Sequence, residues 1–222
     1  RNDFLTAKGP GVSYYNTYSI QHTASVYDGW RKDIPNKRLF TLSRSAFSGQ
    51  QRYATATWSG DISSNWTAYQ KQLSAGLNFC LSGMPYWTTD IGGYFGTDWA
   101  TQANQELMIR WFQYGAFCPI FRIHGKGDKA LVSTSSFTQS TIDNLAATDR
   151  LRYRLMPYIY STAWKVTNEN YTMMRHLIMD YRTDAAVKSI DNQFLFGPSM
   201  MINPVTTAGT TKRTVYLPSG NW

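Results

Sequence analysis

Cysteine is scarce in this 222-residue chain: Cys80 and Cys118 are the only two, each set among apolar neighbours. With three scattered histidines they make no metal-ligand spacing. A disulfide framework and a Cys/His metal site therefore both drop out, and two buried thiols remain as the reading. No apolar run approaches the roughly 20 residues that cross a bilayer, so no membrane partner is expected. Charge is thin as well, at 16% of residues, and the basic residues that leave a net +8 never form a run of five or more. Nucleic acid would call for a clustered basic surface, so that partner is set aside. No initiator Met or leader peptide is present, but the chain opens directly at Arg1-Asn2-Asp3. Compartment is therefore left open, and so is oligomeric state.

What the chain does have is apolar and aromatic surface. Hydrophobic residues make up 42% and aromatics 15%, with 8 Trp and 15 Tyr. That suffices for a sizeable core and argues against disorder. The aromatic excess suits sugar stacking, base stacking or plain core packing equally well.

The pattern along the chain alternates. A helix is expected over residues 15–30, then a strand over 38–44 and a second over 54–58 that stops at Ser59-Gly60-Asp61. Ser63 or Ser64 is placed to cap a helix whose apolar positions Trp66, Tyr69, Leu73 and Leu77 recur at helical spacing. A strand and turn follow over 85–93, a helix near 104–116, a strand over 119–125, and a long helix over 142–166 that Pro157 should kink or break. Strands alternating with helices predict a parallel sheet with crossover helices. After Asp191 the texture changes to short strands at 194–198, 200–205 and 214–218.

Four strand ends carry polar side chains in order: Arg44, Asp61, Asp90 and His124. In a (β/α)8 barrel the active site gathers at the C-terminal ends of the strands. Asp61 follows Trp58-Ser59-Gly60, where small residues let the backbone turn and the indole would keep water off the carboxyl, as a general acid needs. An N-cap for the following helix explains the same aspartate equally well. Asp90, before Ile91-Gly92-Gly93, could pair with Asp61 as a second glycosidase carboxylate, but a turn aspartate is the stronger reading. Arg44 and Arg122 sit on otherwise apolar strands, where a charge rarely stays unpaired; either could bind a sugar hydroxyl or hold a carboxylate. His124 could hydrogen-bond a hydroxyl, while His22 and His176 have no constellation around them.

The segments Arg38 to Arg52, Trp58-Ser-Gly-Asp61, Gly76-Leu-Asn-Phe79, Ser82-Gly83, Asp90-Ile-Gly-Gly93, Phe121-Arg-Ile-His124, Leu151 to Tyr160 and Phe196-Gly-Pro198 occur in register. Together they resemble glycoside hydrolase family 31, the α-glucosidases and α-xylosidases. The wording from Ser45 to Tyr53 is closer to bacterial α-xylosidases. The resemblance implies an α/β chain: the C-terminal half of a (β/α)8 TIM barrel over residues 1–190 (about strands 5–8), then the beginning of an all-β sandwich domain over 191–222. It also implies retaining hydrolysis of terminal α-linked glucose or xylose from oligosaccharides. In it Asp61 is the general acid/base, Arg44 and His124 bind the sugar, Trp58 forms an aromatic wall, Tyr94 stands where the family often has Phe, and Asp90 and Arg122 line or support the site. No metal or organic cofactor is implied, since two carboxylates suffice. The family's nucleophile, an Asp in a Trp-x-Asp-x-x-Glu-like segment, has no match here and is expected on a strand just before Arg1, so the chain alone should not turn over. A non-catalytic sugar-binding relative and an α-transglycosylase are the alternatives.

Overall fold

A computed structural model describes residues 4–96, 98–126 and 136–222. The opening Arg1-Asn2-Asp3, beside the expected nucleophile strand, lies outside the described residues. A small antiparallel hairpin, β1 (Leu5–Thr6) and β2 (Gly9–Pro10), leads into the short α1 (Gly11–Tyr14) and the longer α2 (Tyr18–Asp33). α2 starts three residues later than the spacing predicts, because residues 15–17 close a separate 3-10 turn.

The central layer is parallel, as the alternation predicts. β3 (Thr41–Ser43) pairs with β4 (Thr55–Trp58), and β4 pairs with β5 (Trp87–Thr88), in chain order. Between β4 and β5 runs α3 (Trp66–Leu81), and after β5 comes α4 (Gln102–Gly115). Between β3 and β4 there is only the 3-10 turn Gln50–Tyr53, but adding each parallel strand beside the last in chain order is how a (β/α)8 barrel is wound. The expected strand over 119–125 is not a strand. It follows β5 through Ile120 N–H donating to the Trp87 carbonyl (3.1 Å) and a single parallel bridge, Ile91 to Ile123. Pro119 has no N–H to give. The carbonyls of Ala116, Cys118 and Pro119 are taken by the Arg152 guanidinium rather than by a neighbouring strand.

Neither Ser63 nor Ser64 caps α3. Asn65 does, its side-chain oxygen accepting from the Ala68 N–H at 2.8 Å, while the Ser64 hydroxyl donates to the Phe95 carbonyl. The expected long helix is two, α5 (Gln139–Arg154) and α6 (Met156–Glu169), with Leu155 between them. Pro157 therefore stands in the first turn of α6, where its missing N–H costs nothing.

β6 (Met174–His176), β7 (Phe194–Phe196) and β8 (Met200–Ile202) form an antiparallel sheet with β7 in the centre. The break expected at 190/191 falls between β6 and β7 of this one sheet. Residues 214–218 are not the short strand expected there. The Gln193 side-chain amide satisfies Tyr216 instead, accepting from its N–H and donating to its carbonyl, both at 2.9 Å.

One buried cluster joins all of these layers: Tyr69, Leu73 and Leu77 of α3, Trp87 of β5, Leu107, Met108, Trp111 and Tyr114 of α4, Ile159 of α6, and Phe194 and Phe196 of β7. Its two tyrosine hydroxyls are tied to the main chain, with Tyr69 Oη donating to the Arg110 carbonyl (3.1 Å) and Tyr114 Oη to that of Gln72 (3.2 Å). Cys80 and Cys118 lie in it as free thiols, and burial pushes the Cys118 thiol up to about 12 and Cys80 up as well. Both are inert packing residues. Among the described residues no helix is long and apolar enough to cross a membrane.

Candidate active site

The polar residues at the strand ends separate into two charged groups and one aromatic pair. Arg44 follows β3 and Asp61 follows β4, and because the two strands are parallel neighbours their ends meet. Arg44 Nη1 stands 3.4 Å from Asp61 Oδ2, with the side chains 61% and 30% exposed. Gly60 makes this possible. Its φ is +76°, and a Cβ there would fall 2.6 Å from Arg44 Nε, so only glycine permits both the left-handed turn and the guanidinium lying across it. Since Asn65 caps α3, the N-cap role for Asp61 is not the one realised. Its carboxyl is partly open to solvent beside a cation.

Asp90 is in the opposite situation. It is fully buried and ion-paired through Oδ1 to Arg122 Nη2, and the Arg122 guanidinium lies over the Trp58 indole, 5.4 Å from the ring centre. Trp58, Arg122 and Asp90 thus form one linked group. A buried, paired carboxylate cannot reach a substrate without breaking that pair. The aromatic pair is Tyr94 and His124, with ring centres 5.4 Å apart; Tyr94 is half-buried and His124 exposed.

Main-chain contacts lace the strand-end loops together. The Ile62 carbonyl, one residue beyond Asp61, accepts from the N–H of Tyr94 (2.7 Å) and of Phe95 (3.1 Å), and the Tyr94 carbonyl accepts from Lys126 N–H (2.9 Å). Gly93 sits at the crossing with φ +81°, where a Cβ would come within 2.7 Å of the Ser63 backbone. The loops after β4, β5 and the 119–124 segment are therefore one assembly. Sequence reasoning passed over Phe95 and read Ser64 only as a candidate helix cap, yet both hold this assembly; the signal for Phe95 was a second aromatic beside Tyr94. Among the described residues no group of three or more His, Cys, Asp or Glu side chains could hold a metal ion. A cleft of about 1100 Å³ opens beside Arg44, lined by Phe4, Tyr14, Tyr18, Ser45 and Phe47, but Asp61 is not part of its wall.

Two family models match, the glycosyl hydrolases family 31 TIM-barrel domain over residues 3–162 and the family 31 C-terminal domain over 170–222. An alpha-xylosidase of Saccharolobus solfataricus is 46% identical over 211 residues, which is 95% of this chain and 28% of that protein. Alpha-glucosidase 2 of Bacillus thermoamyloliquefaciens is 35% identical over 94% of this chain and 26% of its own length. The crystal structure of the family 31 alpha-xylosidase from Xanthomonas citri superposes with a TM-score of 0.90 at 41% identity, over 98% of this chain and 24% of that one. The chain thus spans about a quarter of the length of each. Both its parallel layer and its antiparallel sheet fall within matched domains, and the chain belongs to glycoside hydrolase family 31, as TIM-barrel sequence followed by C-terminal domain.

Proposed function

We propose that this chain carries the general acid/base and part of the sugar subsite of a retaining α-glycosidase that removes terminal α-linked xylose or glucose from oligosaccharides. The observation that carries this is the Arg44–Asp61 pair: a partly open carboxyl at a strand end, held by a cation. The names of the relatives support the substrate class, and the higher identity to the two alpha-xylosidases supports xylose first.

In this reading protonated Asp61 gives its proton to the glycosidic oxygen as the bond to the anomeric carbon breaks. Arg44 then balances the carboxylate, which takes a proton from the water that completes hydrolysis. Trp58 walls the sugar, Arg44 and His124 bind its hydroxyls, and Tyr94 lies against His124 as a further wall. Arg122 and Asp90 act by holding the indole. Retention needs a second carboxylate about 5 Å from the first, across the scissile bond. Asp90 is buried and paired, so the reading assigns the nucleophile to a segment other than these 222 residues.

The test is Asp61→Ala in the full-length protein. Hydrolysis of an unactivated α-xylosyl or α-glucosyl disaccharide should fall by about 10²- to 10⁴-fold, while a substrate with a good leaving group should lose far less. Added azide should then yield the α-glycosyl azide, because it intercepts a β-linked covalent intermediate with one inversion. A β-azide would make Asp61 the nucleophile, and an unchanged disaccharide rate would end the assignment.

A further inference from the structure

Phe95 is the residue the assigned chemistry leaves unused. Its ring is 53% exposed although its main chain is held from both sides. The N–H donates to the Ile62 carbonyl, the carbonyl accepts from the Ser64 hydroxyl, and the residue bridges in parallel to Ser63. The ring stands edge-on to Tyr94, with centres 5.2 Å apart and planes at 89°. A Cβ on the neighbouring Gly96 would meet nothing within 4 Å among the described residues. A large apolar side chain held on a hydrogen-bonded main chain and left more than half exposed is set up to receive a flat partner rather than to fill a core.

Its position says which partner. Ile62, which holds the Phe95 N–H, is the residue after Asp61. A general acid touches the glycosidic oxygen, so the leaving sugar must sit beside its carboxyl. The terminal sugar is already enclosed in the proposed reading by Trp58, Arg44 and His124. An exposed residue whose main chain is tied to the one after Asp61 is placed to meet the sugar on the other side of the bond. Stacking an apolar sugar face on it would fix the leaving group against the acid without any hydrogen bond of its own.

We propose that Phe95 is the platform for the leaving-group sugar and sets the preference for substrates whose aglycone is itself a sugar. The proposal rests on the α-glycosidase reading above. The experiment compares Phe95→Ala and Phe95→Trp with wild type in the full-length protein, on an α-xylosyl-glucose disaccharide and on α-xylosyl fluoride, whose leaving group cannot reach a platform. For Phe95→Ala the loss of kcat/KM on the disaccharide should exceed the loss on the fluoride by about 3- to 10-fold, the range of one lost aromatic contact. Phe95→Trp should restore the disaccharide rate. Equal losses on both compounds, or none on either, would overturn the platform and make Phe95 a loop residue only. A wild type inactive on both compounds and on their α-glucosyl counterparts would refute the α-glycosidase reading and the platform together. An active wild type with equal losses would remove the platform alone.

Discussion

Arg152 gives the sharpest test of how the fold holds its site. It is 6% exposed, and its guanidinium donates from Nη1 to the carbonyls of Ala116 (2.7 Å) and Cys118 (2.8 Å) and from Nη2 to that of Pro119 (3.0 Å). The group also lies 5.9 Å from the Phe121 ring centre, and burial lowers its pKa from the ordinary arginine value. Arg152→Met keeps much of the apolar stem but leaves three buried carbonyls without donors. Each such group costs about 1–3 kcal/mol, while removing the charge relieves part of its desolvation, so about 3 kcal/mol of local stability should be lost. Arg152→Lys, a point charge in place of a fork, should lose about half of that. A protein several domains long will not unfold in one step, so the assay is hydrogen exchange by mass spectrometry on peptides spanning 116–124 in the full-length protein. The Cys118 and Ile120 amides are the reporters, donating at 2.9 and 3.1 Å to Gly115 and Trp87. A loss of about 3 kcal/mol means roughly 100-fold less protection for the Met variant. Protection within twofold of wild type would refute the claim that this side chain replaces a missing strand ladder.

Two further outcomes follow from single positions. Gly93→Ala should drive the loops after β4 and β5 apart, because the φ of +81° and the 2.7 Å approach to Ser63 are both backbone constraints. Kcat/KM should fall by tenfold or more and stability by about 1–3 kcal/mol, whereas Gly96→Ala, with nothing within 4 Å among the described residues, should change neither measurably. His176 is nine-tenths buried, and its Nδ1 accepts from the Ile178 N–H at 3.1 Å, which only the neutral ring can do. Burial lowers its pKa below 6.5, with Asp191 opposing, so between its folded pKa and 6.5 the unfolded state binds more protons. This contribution is complete above about pH 6.5 and is lost as pH falls through the folded pKa. His176→Asn, which keeps an acceptor, should flatten the pH dependence of Ile178 amide protection between pH 7 and pH 5. An unchanged pH dependence would exclude His176 as its source.

Much of the frame could be read along the chain because it is written in local chemistry. The spacing of Trp66, Tyr69, Leu73 and Leu77 places α3 on its buried face, and Pro157 ends one helix and opens the next through a missing N–H. Ser59-Gly60-Asp61 marks the turn at the end of β4 because a left-handed residue is needed there. Where local pattern misled, a distant side chain had taken over a backbone group. Arg152 occupies the carbonyls of Cys118 and Pro119 where the strand over 119–125 would begin, and Gln193 takes both backbone groups of Tyr216. Ser64 is kept from capping α3 by the Phe95 carbonyl, 31 residues away.

The same division holds for the site. Residue types, strand ends and turns are properties of a few consecutive residues, so the sequence by itself determined that Arg44, Asp61, Asp90 and His124 stand at one end of a parallel layer. Which of the two aspartates is open and which is buried depends on partners 17 and 32 residues away, Arg44 for Asp61 and Arg122 for Asp90. Burial and ion pairing are set by the packing of whole elements, and only the tertiary structure decided them.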